Sequence, residues 1–521
     1  MAYSTHTLKL TLLIIVLIVP IFLNITESKP LKYSRRKTEV LRNFKRTFSP
    51  TSETSWHNWA GNVVVKPEFI FRPTSVDDLK DIVKKAKEKG KKVRCAAEGH
   101  SWSSLALTKD YLIVVTNLTK VEVKQDKKYG WTATAEAGAS IKQVDDALRN
   151  HDPPLTIESM TVLNSVRAAG VVATGSHGAK FEGRSIPDNV VALQIVTGDG
   201  ELHEFTEEND PNEMNAARIS LGLLGVIYSV TFRVVPMFNL RMIDSFPLAT
   251  DWIKPENFKH IVETSDGIEI FYWPLNQGTI DNSKDVMWVK QWVKTNDKPT
   301  YTQQELAAIN QSAENGTKFS KSIYDLMLLA PELTPALTGF LWKQSRKPSD
   351  AVYQAPDAIH YQAGIDNLPV ENIEFSYKLD NNYTKVVDEF NYFFERLGNY
   401  SKQGKFPVML AEIRIIKSSP LWLATTYDED PNAVYGCIEI LSYRNNPDYL
   451  EFAKEMGKRL MDKYQARPHW AKNWEPIPGI KSYLHDLLGD RILKFENVRK
   501  KYDPNNTFFD NDSLKQIFYG T

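Results

Sequence analysis

Glu412, Arg414, His469 and Lys472 are the side chains late in this chain whose types and spacing could do chemistry. Glu412 and Arg414 stand two apart in VMLAEIRIIK, an alternating stretch that predicts a strand, so both side chains face the same way. An i,i+2 Glu/Arg pair is usually a surface pair. Here Leu410, Ile413, Ile415 and Ile416 predict a largely buried strand, where charges need partners. His469 and Lys472 follow in HWAK, where the alternative for His469 is a loop histidine stacked near Trp470. An acid, a guanidinium, an imidazole and an ammonium can hold a hydroxyl and stabilise developing negative charge.

A second set of residues is suited to a phosphate chain. RCAAEGHSWSS, Arg94 to Ser104, is a small-residue turn between two predicted strands with His100 at its centre. RAAGVVATGSHGAKFEGRS, Arg167 to Ser185, contributes Gly170, Thr174, Gly175, His177 and Gly178. SLGLLGVIYSVTFRVVP places Gly222 and Gly225 before a long β-branched strand that includes Ile227. Glycines let backbone approach a ligand closely, and bare N–H groups face phosphate or an adenine edge. A tight turn explains any one such loop. Three in succession, two carrying a histidine, predict a nucleotide site.

The elements that must position these groups read as an α+β layout. FIFRPTSVDDLKDIVKKAKEKGKKVR predicts strand, cap, helix and strand, with Ser75 and Asp78 as a capping box and Gly90 as the stop. LIVVTNL and TATAEAGAS are strands, and IKQVDDALRN is a helix. Asp199-Gly200 marks a hairpin. After Pro236, GIEIFYWPL, DVMWVKQWV and IEFSYKLD predict a new sheet, and CIEILSYR is the expected neighbour of VMLAEIRIIK. Residues 303–342 read as more helical. VVDEFNYFFERLGN predicts a helix ending near Gly398, and YLEFAKEMGKRLMDKY a helix burying Leu450, Ala453, Met456 and Leu460.

At 521 residues the chain is long enough for two or three domains. Lys+Arg and Asp+Glu both total 64, which argues against nucleic acid as a partner. Cys95 and Cys437 form no zinc spacing, which predicts no metal site; a buried free Cys95 is the expectation and a Cys95–Cys437 disulfide the alternative. The apolar run Leu10–Leu23 behind Lys9 predicts a signal peptide cut after Ser28, hence secretion or the secretory lumen. The alternative is an uncleaved anchor over residues 8–23, the only route to a membrane expected here, because Lys29, Lys32, Arg35, Arg36 and Lys37 follow the run. Sequons at Asn117, Asn310, Asn315, Asn382, Asn399, Asn505 and Asn511 are compatible with a glycoprotein.

In order, NWAG at Asn58, RP-x-S at Arg72, EGHS at Glu98, ATGSHG at Ala173, GLLGV at Gly222, E-I-R at Glu412, HWAK at His469 and YDPNNTF at Tyr502 form a specific series. On these motifs the chain resembles the FAD-linked oxidoreductases of the vanillyl-alcohol oxidase fold. Within them it is similar to the aldonolactone oxidase branch: gulonolactone and arabinonolactone oxidases, galactonolactone dehydrogenase and alditol oxidase. The resemblance spans residues 56–518. It implies a two-subdomain FAD-binding domain over 56–237 and a substrate or cap domain with an antiparallel sheet and helices over 238–480. A C-terminal segment, 481–521, returns to the FAD domain; 1–28 is the signal peptide and 29–55 a basic arm.

The resemblance also implies the cofactor contacts. Ala97, Glu98, Gly99, His100 and Ser101 cradle the FAD pyrophosphate, with the flavin covalently attached to His100. Gly170, Thr174, Gly175, His177 and Gly178 form a second loop, and Gly225 and Ile227 lie near the adenine. Glu98 departs from the family's usual glycine, and a carboxylate there is expected to point away from the diphosphate. Arg414 stabilises the substrate oxygen and reduced flavin, Glu412 orients the substrate hydroxyl or Arg414, Lys472 lies near flavin N1 and C2=O, and His469 contacts substrate or flavin. Ser159 is a looser substrate candidate. The implied reaction is hydride transfer from a CH–OH of a sugar-1,4-lactone to flavin N5, with O2 reduced to hydrogen peroxide. The alternatives are an alditol or oligosaccharide oxidase, a lactone dehydrogenase with another acceptor, and a non-catalytic secreted glycoprotein.

Overall fold

A parallel three-stranded sheet opens the fold, in the spatial order Phe69–Phe71, Tyr111–Val114, Val93–Ala96. It belongs to a computed structural model that describes residues 49–345 and 349–520. The signal-peptide and anchor expectations, and the basic arm up to residue 48, lie outside the described residues. Among the described residues no helix is long and apolar enough to cross a membrane.

Helix Val76–Glu88 crosses from the first strand of this sheet to the third. Ser75 Oγ accepts the Asp78 N–H at 3.2 Å and Asp78 Oδ2 accepts the Ser75 N–H at 3.0 Å. The reciprocal pair satisfies two of the donors that a helix start leaves open. Leu79, Ile82, Val83 and Ala86 bury the inner stripe.

A mixed-length antiparallel sheet follows, in the order Leu202–Thr206, Val190–Thr197, Gly225–Pro236, Gly130–Glu136, Val121–Asp126, with Leu155–Thr156 against the end of the long strand. Gly200 takes φ +82° in the expected hairpin. Val121–Asp126 was not among the expected strands. It is an edge strand of mostly polar residues, VEVKQD, and an edge needs no apolar run. Gly225 sits where a Cβ would lie 2.3 Å from the Val196 carbonyl oxygen, so only glycine fits against that neighbouring strand.

The largest sheet has eight strands in the order Ser349–Gln354, Asn239–Ser245, Trp288–Thr295, Gly267–Tyr272, Leu410–Lys417, Val434–Tyr443, Val370–Lys378 and Arg467–Pro468, all antiparallel. Buried Ile270, Ile413, Ile438 and Ile440 alternate with charged residues along its central strands. Helices Thr384–Ser401 and Tyr449–Tyr464 contribute buried Phe390, Phe393, Phe452 and Met456. The first of these runs past Gly398 to Ser401, since a mid-helix glycine costs only about 1 kcal/mol. In the second, Leu450 is 41% exposed; the buried stripe runs through Tyr449, Phe452, Ala453 and Met456 instead.

The C-terminal segment packs back on the first sheets. Val93 N–H donates to Thr507 O at 2.9 Å and Gly198 N–H to Tyr502 O at 2.9 Å. Arg94, 2% exposed, donates to the carbonyls of Leu105, Leu221, Gly222 and Phe508 at 2.7–3.2 Å. Both cysteines are free thiols, which removes the disulfide alternative, and burial pushes the Cys95 thiol up to about 12. Asn511 is only 4% exposed: its side chain caps helix Asp512–Tyr519 and donates to Ser104 O at 3.0 Å, so this sequon has no free amide to glycosylate.

Candidate active site

The three small-residue loops converge on one cavity. Its walls include Ala97, Glu98, Gly99, His100 and Ser101 from the first, Gly170 and Thr174 from the second, and Gly222, Gly225 and Ile227 from the third. Gly99 has φ +83°, and a Cβ there would meet the Trp56 ring at 2.8 Å, so the turn closes only with glycine. A Cβ at Gly170 would meet no atom within 4 Å, so backbone is bare to the cavity there. Gly175 and Gly178 do not line it. The first faces the Ile219 side chain, and the second the Met160 carbonyl, where a Cβ would lie 2.4 Å from oxygen.

Glu98 does not simply turn away. Its Oε2 accepts from Arg167 Nη2 at 2.5 Å and Nε at 2.7 Å, and Arg167 lines the cavity too. Arg167 therefore offsets the carboxylate, a partner that sequence reasoning missed. His100 stacks on Trp59 at 5.0 Å between ring centres, with its Nε2 3.5 Å from Asp366 Oδ1. Its Nδ1 is buried and has no hydrogen-bond partner. Burial holds this imidazole below its ordinary value against the pull of Asp366 and Glu98, so it is neutral.

The cap sheet brings its own set together. Glu412 lies in register with Glu439, and Glu439 with Glu374; one step along, Glu269 is opposite Arg414 and Arg414 opposite Cys437. Period-two alternation puts all of these on one face. Arg414 Nε lies 2.6 Å from Glu412 Oε1 and 3.3 Å from Glu269 Oε1, and its Nη2 is 3.4 Å from Glu439 Oε2. Lys472 Nζ is 2.7 Å from Glu439 Oε1 and 3.6 Å from Glu374 Oε2. Tyr361 donates to Glu269 Oε2 at 2.6 Å. Glu412 Oε1, though close to Arg414, has no aligned hydrogen bond. Glu269 and Ser159 border a small cavity of about 30 Å³, and Ser159 Oγ is buried without a partner.

His177 belongs to this cap cluster rather than to the cavity wall. Its Nε2 is 2.5 Å from Glu374 Oε1, its Nδ1 is 3.1 Å from Gly178 O, and its ring is 5.8 Å from that of His469. One of its ring nitrogens, a Glu374 carboxylate oxygen and Cys437 Sγ lie within 4.8 Å of one another. His469 is buried, and its Nδ1 accepts the Ala471 N–H at 3.1 Å, which leaves the proton on Nε2. Trp470 packs edge-on against Trp474, not on His469.

Loop 469–472 joins the two sets. Trp102 N–H donates to Ala471 O at 2.6 Å, Ser101 Oγ donates to the same oxygen at 3.2 Å, and Lys472 Nζ lies 4.9 Å from the Trp102 ring centre. Ala471 itself lines the cavity of His100.

Residues 67–206 match the FAD binding domain family, and residues 230–517 match the D-arabinono-1,4-lactone oxidase family. The chain belongs to the D-arabinono-1,4-lactone oxidase family. Similar relatives within or beside this family include the D-arabinono-1,4-lactone oxidase of Kluyveromyces lactis, 26% identical with 87% of this chain and 94% of that protein covered. The L-gulono-1,4-lactone dehydrogenase of Mycobacterium tuberculosis and the L-gulonolactone oxidase of Mus musculus are each 25% identical, with 89% of this chain and 98% of theirs covered. Among solved structures, a cholesterol oxidase from B. sterolicum superposes with a TM-score of 0.74 at 18% identity, covering 94% of this chain and all of that one, a likeness of fold.

The residues present fit the FAD that this family's first domain binds. Bare backbone at Gly170, glycine-only turns at Gly99 and Gly225, and the unpartnered Nδ1 of His100 all border one cavity. The family's cap face is also electrostatically uneven. Burial raises Glu412 well above the usual carboxylate range; Arg414 opposes this, while Glu269, Glu439 and Glu374 add to it. Burial raises Glu269 as well. Glu374 is held well below its ordinary value: burial opposes the drop, but His177, His469 and Lys472 outweigh it. His177 is held high by Cys437 and Glu374 against burial, and burial takes His469 down to about 4.

Proposed function

We propose that this protein oxidises a CH–OH group of a sugar-1,4-lactone through FAD and passes the electrons to O2, forming hydrogen peroxide. The observation that carries this reading is the junction at Ala471, which sets the buried Glu412–Arg414–Lys472 face beside the turn that bears His100. When bound, FAD supplies a two-electron acceptor that takes hydride from the substrate carbon. Glu412, buried with its Oε1 2.6 Å from Arg414 Nε, takes the hydroxyl proton as the carbonyl forms. Arg414 steadies the substrate oxygen, and Lys472 places positive charge where reduction adds negative charge. His469, neutral with its proton on Nε2, donates to the substrate.

The same reading makes Ala97–Ser101, Gly170, Thr174, Gly225 and Ile227 the FAD contacts and gives His100 Nδ1 the covalent link to the flavin. Gly175, His177 and Gly178 support the loop from behind. Substrate-panel work tests the reaction: anaerobic addition of sugar lactones is expected to bleach the flavin, and air to restore it with one peroxide per turnover. If neither lactones nor alditols bleach it, the reading fails. The dehydrogenase named among the relatives keeps a second outcome in play, in which bleaching occurs but only a quinone or cytochrome acceptor restores the colour. Acid precipitation tests the covalent link: a yellow pellet is expected, and a colourless one removes it. Passage through the secretory route is also proposed, from the apolar run before Ser28. Secreted protein beginning at Lys29 is the expected result, and a retained leader the opposing one.

A further inference from the structure

The two cations nearest the proposed substrate position are already taken. One oxygen of Glu439 meets Lys472 Nζ at 2.7 Å and the other lies 3.4 Å from Arg414 Nη2. Asn372 Nδ2 donates to the same Oε1 that holds Lys472, which fixes the carboxylate in place. Glu439 is 6% exposed and sits in register between Glu412 and Glu374. Glu269 closes the other side of Arg414. The face thus places the carboxylates of Glu439 and Glu374 against Arg414 and Lys472, with His177 on Glu374 and the buried acids Glu412 and Glu269 beside Arg414.

We propose that Glu439 is a specificity-determining residue: it saturates Lys472 and Arg414, so the site takes a neutral lactone and rejects the ring-opened carboxylate of the same sugar. This rests on the reading of the cap face as the substrate site. The argument is one of charge at short range. A lactone opens in water to an aldonate, so both forms meet the enzyme, and an unpaired Arg or Lys would hold the aldonate by a charge-assisted bond. With Glu439 in place, an incoming carboxylate must either displace it or lie against Glu439 and Glu374 in a poorly solvated site. The hydroxyls of a neutral sugar meet the same carboxylates as good acceptors. Selection here comes from what the site repels as well as from what it attracts.

Binding to the oxidised holoenzyme, read from the perturbed flavin spectrum, tests this without turnover. The probes are an aldonate and the aldonamide of the same carbon chain, which share shape and differ in charge. Wild-type protein is expected to bind the aldonamide about tenfold or more tighter than the aldonate. Glu439→Gln is expected to raise aldonate affinity by about tenfold while moving aldonamide affinity by less than about threefold; Glu439→Asp keeps the discrimination. Equal binding of the two probes by wild type, or an unchanged ratio in Glu439→Gln, overturns the proposal. If Glu439→Gln does not fold, the wild-type ratio and the Asp variant decide. A lactone that fails to bleach the flavin while the aldonamide preference stands would sink the proposed reaction and leave this charge selection intact.

Discussion

The proposed flavin link at His100 rests on one atom. The imidazole is neutral, its Nδ1 is buried without a hydrogen-bond partner, and Trp59 stacks on the ring. His100→Ala is expected to leave flavin that acid extracts, checked by the colour of the precipitate. Glu412→Gln removes the proposed proton acceptor and keeps the shape, so turnover should fall by about 10²–10⁴-fold with flavin content unchanged. Lys472→Met should lower the flavin midpoint potential by on the order of 30 mV, a tenfold loss for a two-electron couple, read by spectroelectrochemistry. Several of these residues were legible because their spacing is local: Glu412 and Arg414 share a strand, and His100 stands in a small-residue turn. Glu269, Glu374, Glu439 and Arg167 were not. Each lies in a different segment of the chain, and only the strand register and the Glu98 contact bring them to the site.

At the scale of elements, the cap sheet separates two environments by alternation alone, with Ile413 and Ile438 on one side and Glu412, Arg414 and Glu439 on the other. That separation was readable from VMLAEIRIIK. The edge strand Val121–Asp126 was not, since its residues have no buried face to advertise. The His177–Glu374 pair ties the second loop to this sheet, and its effect on stability has a defined sign. His177 is raised, so its contribution is complete below its ordinary value of 6.5 and is lost as pH climbs through the folded value. Glu374 is lowered, so its contribution is complete above 4.5 and is lost as pH falls through its folded value. The difference in melting temperature between wild type and His177→Gln should therefore be greatest between pH 4.5 and 6.5 and shrink on both sides, measured by thermal scans across pH.

For the whole molecule, Arg94 matters more than its place in the sequence suggests. A buried guanidinium that satisfies four carbonyls from three distant segments cannot be replaced by a single ammonium. Arg94→Lys should cost about 2–4 kcal/mol in denaturant unfolding and loosen flavin retention, since Gly222 and Leu221 border the cavity. Nothing near Arg94 in the chain announces this, because three of its four partners, Leu221, Gly222 and Phe508, lie more than a hundred residues away. The pairing of Val93 with Thr507, beside Arg94 and Phe508, carries a consequence for biogenesis. The nucleotide cradle opens at Arg94, yet that residue is braced by Phe508, 414 residues later. Capture of the cofactor must therefore wait until residue 508 has been made, and nascent chains halted before it should emerge colourless.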